Sequence, residues 1–338
     1  MSSTLSAVIS GLGHALPEHV VSSEEVERRI VSNGWQVPSG KLERLTGVAS
    51  RRYADPALAS SDLAAEAALR ALADAGLQPD AVDVLIFAAA THDIADPATA
   101  NLVQMKTGCA RAHVFDVKNA CNSFLNALDI AVSLVQTARA KRILIACGEM
   151  LSPVINWEIN DDQDYQLKFA GLTLGDGGGA CVLEASYDGG RGVLPGCFFS
   201  AGEHWQLSTV LSGGSLLKQD TSRLYFECHS NELLALAAQH LPALILGTLQ
   251  EVGWTLHDLA LVVPHQVSKA IVRTLCNVLD YPQERCMVTL DRYGNLASAS
   301  IPVALSVARQ GGLLSPGDKV LLVGSAAGFS AGVIPVMF

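Results

Sequence analysis

Apolar residues recur along the chain at alternating helical and strand spacing, the rhythm that layered α/β architecture requires. Over residues 61–75, Leu63, Ala67 and Ala71 fall on one helical stripe, Gly76 supplies a stop, and residues 82–87 read as a buried strand. The same helix, glycine, strand unit returns as residues 231–252, Gly253 and residues 259–263, a shift of 177 positions from Gly76 to Gly253. A second pair shares that shift: Ala127, Leu128 and Ala131 lead into a strand starting at Arg142, and Ala304, Leu305 and Ala308 into one starting at Lys319. One offset shared by two segments predicts a duplicated architecture, although a common βαβ rhythm alone would produce a looser doubling. The expected halves are residues 1–177 and 178–338, related by a pseudo-twofold axis, each a mixed sheet with helices on its faces. Ligands in such sheets collect where strands end and helices begin.

Composition narrows the function. A hydrophobic content of 49% over 338 residues suffices for a large buried core. The net charge of −10, with 23 Lys and Arg and no basic run, argues against nucleic acid or an anionic membrane as the main partner. An acidic carrier has to dock on a local basic patch. Residues 1–10 carry no basic start followed by a long apolar stretch, and no window reaches the ~18 uninterrupted apolar residues of a membrane span. The eight cysteines include no C-x-x-C pair, which fits neither a zinc site nor a disulfide scaffold, so no metal is expected. They read as reduced thiols in a cytoplasmic protein, mostly small buried hydrophobes.

Cys121 stands apart. The strand at residues 114–117 is followed by Lys118-Asn-Ala-Cys121-Asn-Ser, after which Leu125, Leu128, Ala131, Val132 and Val135 continue at helical spacing. A helix start there is expected to lower the thiol pKa and allow acyl transfer to the sulfur, although a packed cysteine at a helix start fits the segment equally well. In the second half, His265 follows a buried strand ending Val-Val-Pro264, and Asp291-Arg-Tyr-Gly-Asn295 is a turn running into the helix of Ala304. On the 177 shift Asn295 corresponds to Lys118, which places the two turns opposite each other, although Asn295 alone reads as a helix cap. Two glycine-rich stretches, at 174–180 and 323–328, match neither a dinucleotide fingerprint nor a P-loop. Close backbone approach explains them better, with small residues near Cys121 offering amides as an oxyanion hole.

Taken in order, Asn-Ala-Cys121-Asn-Ser-Phe, Gly175-Asp-Gly-Gly-Gly-Ala, Pro264-His265-Gln266, Gly294-Asn295 leading to Ser300-Ile-Pro302, and a terminal loop with Gly328-Phe329 resemble the 3-ketoacyl-ACP synthase III branch of the thiolase superfamily. Thr46-Gly47 with Arg51-Arg52 extends the match towards the start. The resemblance implies a thiolase-like, five-layered αβαβα fold, a homodimer, and a Cys121, His265, Asn295 triad with an oxyanion hole from the backbone of Cys121 and Ala327. It also implies acyl-CoA or acyl carrier protein as substrates and no further cofactor. The donor acyl group passes to Cys121; a second thioester, activated at His265 and Asn295, then condenses with it, by decarboxylation in the leading reading, to give a 3-ketoacyl product of fatty-acid or polyketide-type metabolism. By motif position Trp35, Lys168, Ser268 and Phe329 fall to substrate or CoA binding, and the loop Thr91-His-Asp-Ile-Ala-Asp-Pro97 to the partner's pocket. Departures from the family pattern are His265-Gln-Val-Ser268 in place of His-Gln-Ala-Asn, and Ala270 in place of an arginine. The alternatives are a thiolase-fold acyltransferase acting on an alcohol or amine, a non-decarboxylating condensation of two long chains, and a silent partner subunit.

Overall fold

The computed structural model describes residues 5–187, 190–217 and 220–338, so residues 1–4 of the start read for an export signal lie outside it. Five strands form the first sheet: β1 (Ser6–Ala15), β2 (Val84–Ala88), β3 (His113–Val117), β4 (Arg142–Glu149) and β5 (Gly177–Ser186). Their order is β1-β5-β4-β2-β3, with β4, β2 and β3 parallel and β5 antiparallel to both of its neighbours. The second sheet contains β6 (Gly192–Val193), β7 (Cys197–Ser200), β8 (Leu261–Pro264), β9 (Lys319–Ala326) and β10 (Ser330–Met337). There β8 runs parallel to β9, and β10 pairs antiparallel with β9, β6 and β7. The strand β5 begins at the expected midpoint of the chain and completes the first sheet, so that sheet extends through Ser186.

The repeat is visible in the backbone. Strand β4 recurs as β9 with the same shift at both ends, 142 to 319 and 149 to 326. Non-glycine residues seldom adopt positive φ, yet Ala120 (φ 46°) and Ala297 (φ 43°) both do, again 177 positions apart.

Alternation along the strands explains the layers. On β4, Ile143 and Ile145 turn to one core and Leu144 and Ala146 to another; on β9, Val320 and Leu322 are separated from Leu321 and Val323 in the same way. The inner faces of both sheets share one core with helices α2 (Ser123–Gln136) and α6 (Ser300–Gln310). Helix α1 (Ser60–Asp74) covers the outer face of the first sheet, and α4 (Ser230–Glu251) with α5 (Lys269–Val278) covers that of the second. The stack is therefore α, β, α, β, α, the five-layered thiolase-like arrangement that the resemblance implies. Helix α4 is long and apolar enough to cross a membrane by length and composition, but its Leu241, Ile245 and Leu249 are buried in the outer core of the second sheet.

The glycine-rich stretch at 174–180 enters β5 and is not a loop beside Cys121. Its role is close approach: a Cβ on Gly178 would stand 2.2 Å from the Leu63 carbonyl oxygen of α1.

Candidate active site

The nucleophile turn follows from local chemistry. Between β3 and α2, Ser123 Oγ accepts from the Asn119 N–H (2.8 Å) and donates to the Ala120 carbonyl (2.7 Å), closing a tight turn around the positive φ of Ala120. Cys121 lies immediately after it, partly exposed, with Asn122 as the residue flanking the helix. The side chain of Asn122 is fully buried and donates to Ser330 Oγ on β10 at 3.0 Å. Its room comes from Gly324 on β9, where a Cβ would lie 2.0 Å from Asn122 Oδ1. The second glycine-rich stretch thus serves the site by making space beneath the turn.

His265 sits one residue past β8, its backbone N–H bonded to the Val323 carbonyl at 2.7 Å. Its neighbour Gln266 is buried and donates to the Met287 carbonyl while accepting from the Thr289 and Leu290 N–H groups, which anchors the segment leading to Asn295. The Asn295 backbone is clamped between the Thr173 carbonyl and the Gly175 N–H. Asn295 does not cap α6; its Oδ1 accepts from the Ala297 N–H at 2.9 Å, so its amide hydrogens remain the donors it can offer a ligand. Ala297 therefore fixes the Asn295 side chain, and it packs in the same apolar cluster as Cys121. Nδ1 of the His265 ring is buried with no hydrogen-bond partner among the described residues.

The electrostatics overturn one expectation. The Cys121 residue keeps some exposure, but it packs against the apolar cluster, and that desolvation, with the nearby Glu149 carboxylate and Cys228, pushes the thiol up to about 12, opposite to the lowering expected from the helix start. Burial also lowers His265 to about 4. Near neutrality Cys121 is then a thiol and His265 a neutral imidazole, with one ring nitrogen that can accept a proton. Glu149, at the end of β4, went unnoticed in the sequence. The signal available was a carboxylate closing the apolar run Ile-Leu-Ile-Ala-Cys-Gly.

A cavity of about 680 Å³ lined by Lys41, Leu45, Tyr165, Phe169, Cys228 and His229 opens beside this cluster. Phe169 packs in the cluster that contains Cys121. Trp35 packs on Tyr165 with ring centroids 5.3 Å apart, one ring away from the cavity wall. Lys168, the last residue of helix α3 (Asp162–Lys168), is committed elsewhere: its ammonium donates to the Glu158 carbonyl at 2.8 Å and pairs with Asp164 at 3.1 Å, which leaves little of its charge for a phosphate. Ser268 caps α5 by accepting from the Ile271 N–H at 3.2 Å. Phe329 is buried in the core of the second sheet against Phe199 and His240, whereas Ala327, in the turn between β9 and β10, is partly exposed.

Residues 115–202 match the family described as 3-Oxoacyl-[acyl-carrier-protein (ACP)] synthase III, and residues 249–337 match its C-terminal domain. A beta-ketoacyl-[acyl-carrier-protein] synthase III of Rhizorhabdus wittichii is 35% identical over 98% of this chain and 99% of its own length. The chain belongs to the 3-oxoacyl-ACP synthase III family. Among solved structures, the family's enzyme from Aquifex aeolicus superposes with a TM-score of 0.86 at 29% identity, covering 98% of this chain and all of that one. OleA of Xanthomonas campestris superposes with a TM-score of 0.88 at 25% identity, covering 99% of both chains. Family membership makes this chain an acyl-thioester condensing enzyme on a thiolase-like fold.

Proposed function

We propose that Cys121 carries the donor acyl group and that Asn295 and His265 activate the second thioester. What supports this reading is that the turns at Ala120 and Ala297 bring Cys121 and Ala297 into one apolar cluster, with Asn295 Oδ1 tied to the Ala297 N–H so that its amide hydrogens are left to donate. In loading, the free ring nitrogen of His265 takes the thiol proton as the sulfur attacks the thioester carbonyl, then returns it to the departing thiolate. Its low pKa makes that return favourable. The oxyanion is held by the N–H groups of Cys121 and Ala327. The second thioester then sets its carbonyl oxygen at Asn295 Nδ2 and at His265 in the tautomer that turns a hydrogen toward it. Enolate formation by decarboxylation and attack on the acyl-cysteine break the C–S bond and give the 3-ketoacyl product and CO₂, and a proton from solvent restores the expelled Cys121 thiolate to the thiol.

The donors are acyl-CoA or acyl carrier protein, entering through the 680 Å³ cavity, whose wall residue Tyr165 is backed by Trp35, with no additional cofactor. A homodimer is part of the same reading. Strand β3 has a partner on one side only, and the neighbouring Ile94 and Met105 are exposed, an edge and apolar surface that a second copy would cover. Intact-mass measurement after exposure to a panel of acyl-CoAs tests the central step. A single acyl adduct on Cys121 followed by release of a 3-keto product is expected, and transfer only to alcohols or amines would replace condensation with acyl transfer.

A further inference from the structure

Glu149 is fully buried between the two halves and has no ion pair among the described residues. Its carboxylate is held by donors alone. Oε1 takes the Ala90 N–H (2.8 Å), the Ser298 N–H (3.2 Å) and the Ser298 hydroxyl (2.5 Å), while Oε2 takes the Thr91 N–H (3.0 Å) and hydroxyl (2.7 Å). Ala90 and Thr91 follow β2 of the first sheet, whereas Ser298 belongs to the turn that carries Asn295.

The Ser298 N–H and the Ala297 carbonyl are two ends of one peptide unit. Glu149 fixes the N–H end of that unit, and the preceding N–H, that of Ala297, fixes Asn295 Oδ1. Ala297 holds a left-handed φ of 43°, which a non-glycine residue keeps only when its surroundings enforce it. We propose that Glu149 is a positioning residue for condensation: its carboxylate orients the peptide between Ala297 and Ser298 and thereby aims the Asn295 amide. This rests on the assignment of Asn295 to the second thioester.

A glutamine cannot replace the carboxylate here, because its NH₂ meets a backbone N–H on either side, Ala90 and Ser298 at one oxygen position and Thr91 at the other. A tie between loops that served folding alone would not need a buried charge, since charges are costly to bury.

The test uses the full-length enzyme with loading of Cys121 and release of 3-keto product followed separately, and melting recorded alongside. Glu149→Gln should cut condensation by about tenfold or more while loading stays within about threefold, because small displacements of aligned groups cost rate steeply. Ser298→Ala keeps the carboxylate and its three backbone donors, removes the hydroxyl shared between Glu149 and the Ala88 carbonyl, should fold normally, and should lower condensation by about three- to tenfold, the scale of one lost hydrogen bond, with loading unchanged. If Glu149→Gln does not fold, Ser298→Ala decides alone. A parallel fall of loading and condensation in Ser298→Ala, or no fall in either, overturns the proposal. A wild-type enzyme that never loads Cys121 overturns the underlying assignment and this proposal with it, an outcome distinct from a wild type that works beside an unaffected variant.

Discussion

Replacing Gly324 by alanine probes how the nucleophile is held without touching any group assigned to the chemistry. The new methyl carbon would lie 2.0 Å from Asn122 Oδ1 and 2.7 Å from Leu125 Cδ1, where ordinary contacts begin at 3.4 Å. Neither neighbour has room to yield, since both are fully buried and Asn122 is bonded to Ser330 Oγ. The turn must therefore retreat by about 1 Å, at an overpacking cost of about 1–3 kcal/mol. Loss of the Asn122 to Ser330 bond adds about 1 kcal/mol. Because Cys121 is the residue before Asn122, its sulfur moves with the turn, and a displacement of about 1 Å costs on the order of 10²-fold in rate. Release of CoA in a single-turnover thiol assay measures loading, and differential scanning calorimetry measures stability. A variant that melts several degrees lower yet loads acyl-CoA within about twofold of wild type would refute the claim that Gly324 sets the position of the nucleophile. Unchanged melting would show that Asn122 escapes without moving the turn.

Asn295→Ala should leave acylation of Cys121 largely intact while condensation falls by about 10²-fold, the scale of a lost oxyanion donor; parallel kinetics of loading and product release check it. Cys121 should react slowly with iodoacetamide at neutral pH and faster as pH rises, because its pKa is pushed up to about 12 by burial, Glu149 and Cys228; a fast, pH-independent reaction near pH 6 would mean a resting thiolate instead. His265 falls from 6.5 to about 4 in the folded protein, so it contributes nothing to pH-dependent stability above 6.5. As pH drops from 6.5 toward 4 the unfolded chain gains a proton that the folded one refuses, a loss on the order of 3 kcal/mol. His265→Ala should flatten that acid limb in denaturant titrations, and an unchanged slope would contradict the burial argument. Light scattering should give about twice the 35.6 kDa chain mass, and an active monomer would exclude the role given to the β3 edge.

Much of this architecture is readable before any coordinates. The helix and strand periods, the 177 shift and the glycine stops yield the two related halves, because those features are local and the backbone obeys them residue by residue. The ordered motifs around Cys121, His265 and Asn295 likewise point to one site, since each sits where a strand gives way to a helix or turn. Other features depend on residues distant in sequence. The thiol looks activated when only its helix start is considered, yet desolvation and the Glu149 carboxylate dominate once the halves close over it. Lys168 falls to CoA binding by motif position, and only the fold shows Asp164 and the Glu158 carbonyl holding its ammonium. Phe329 lies beside the terminal loop in sequence but turns into the core with Phe199 and His240. Glu149 and Ser298, 149 positions apart, meet only because β4 and the Asn295 turn end at the same interface between the halves. Periodicity determines which elements form and which of their faces are apolar; the field and the hydrogen-bond partners at a buried atom are set by whatever the folded chain packs against it, and that information is nonlocal.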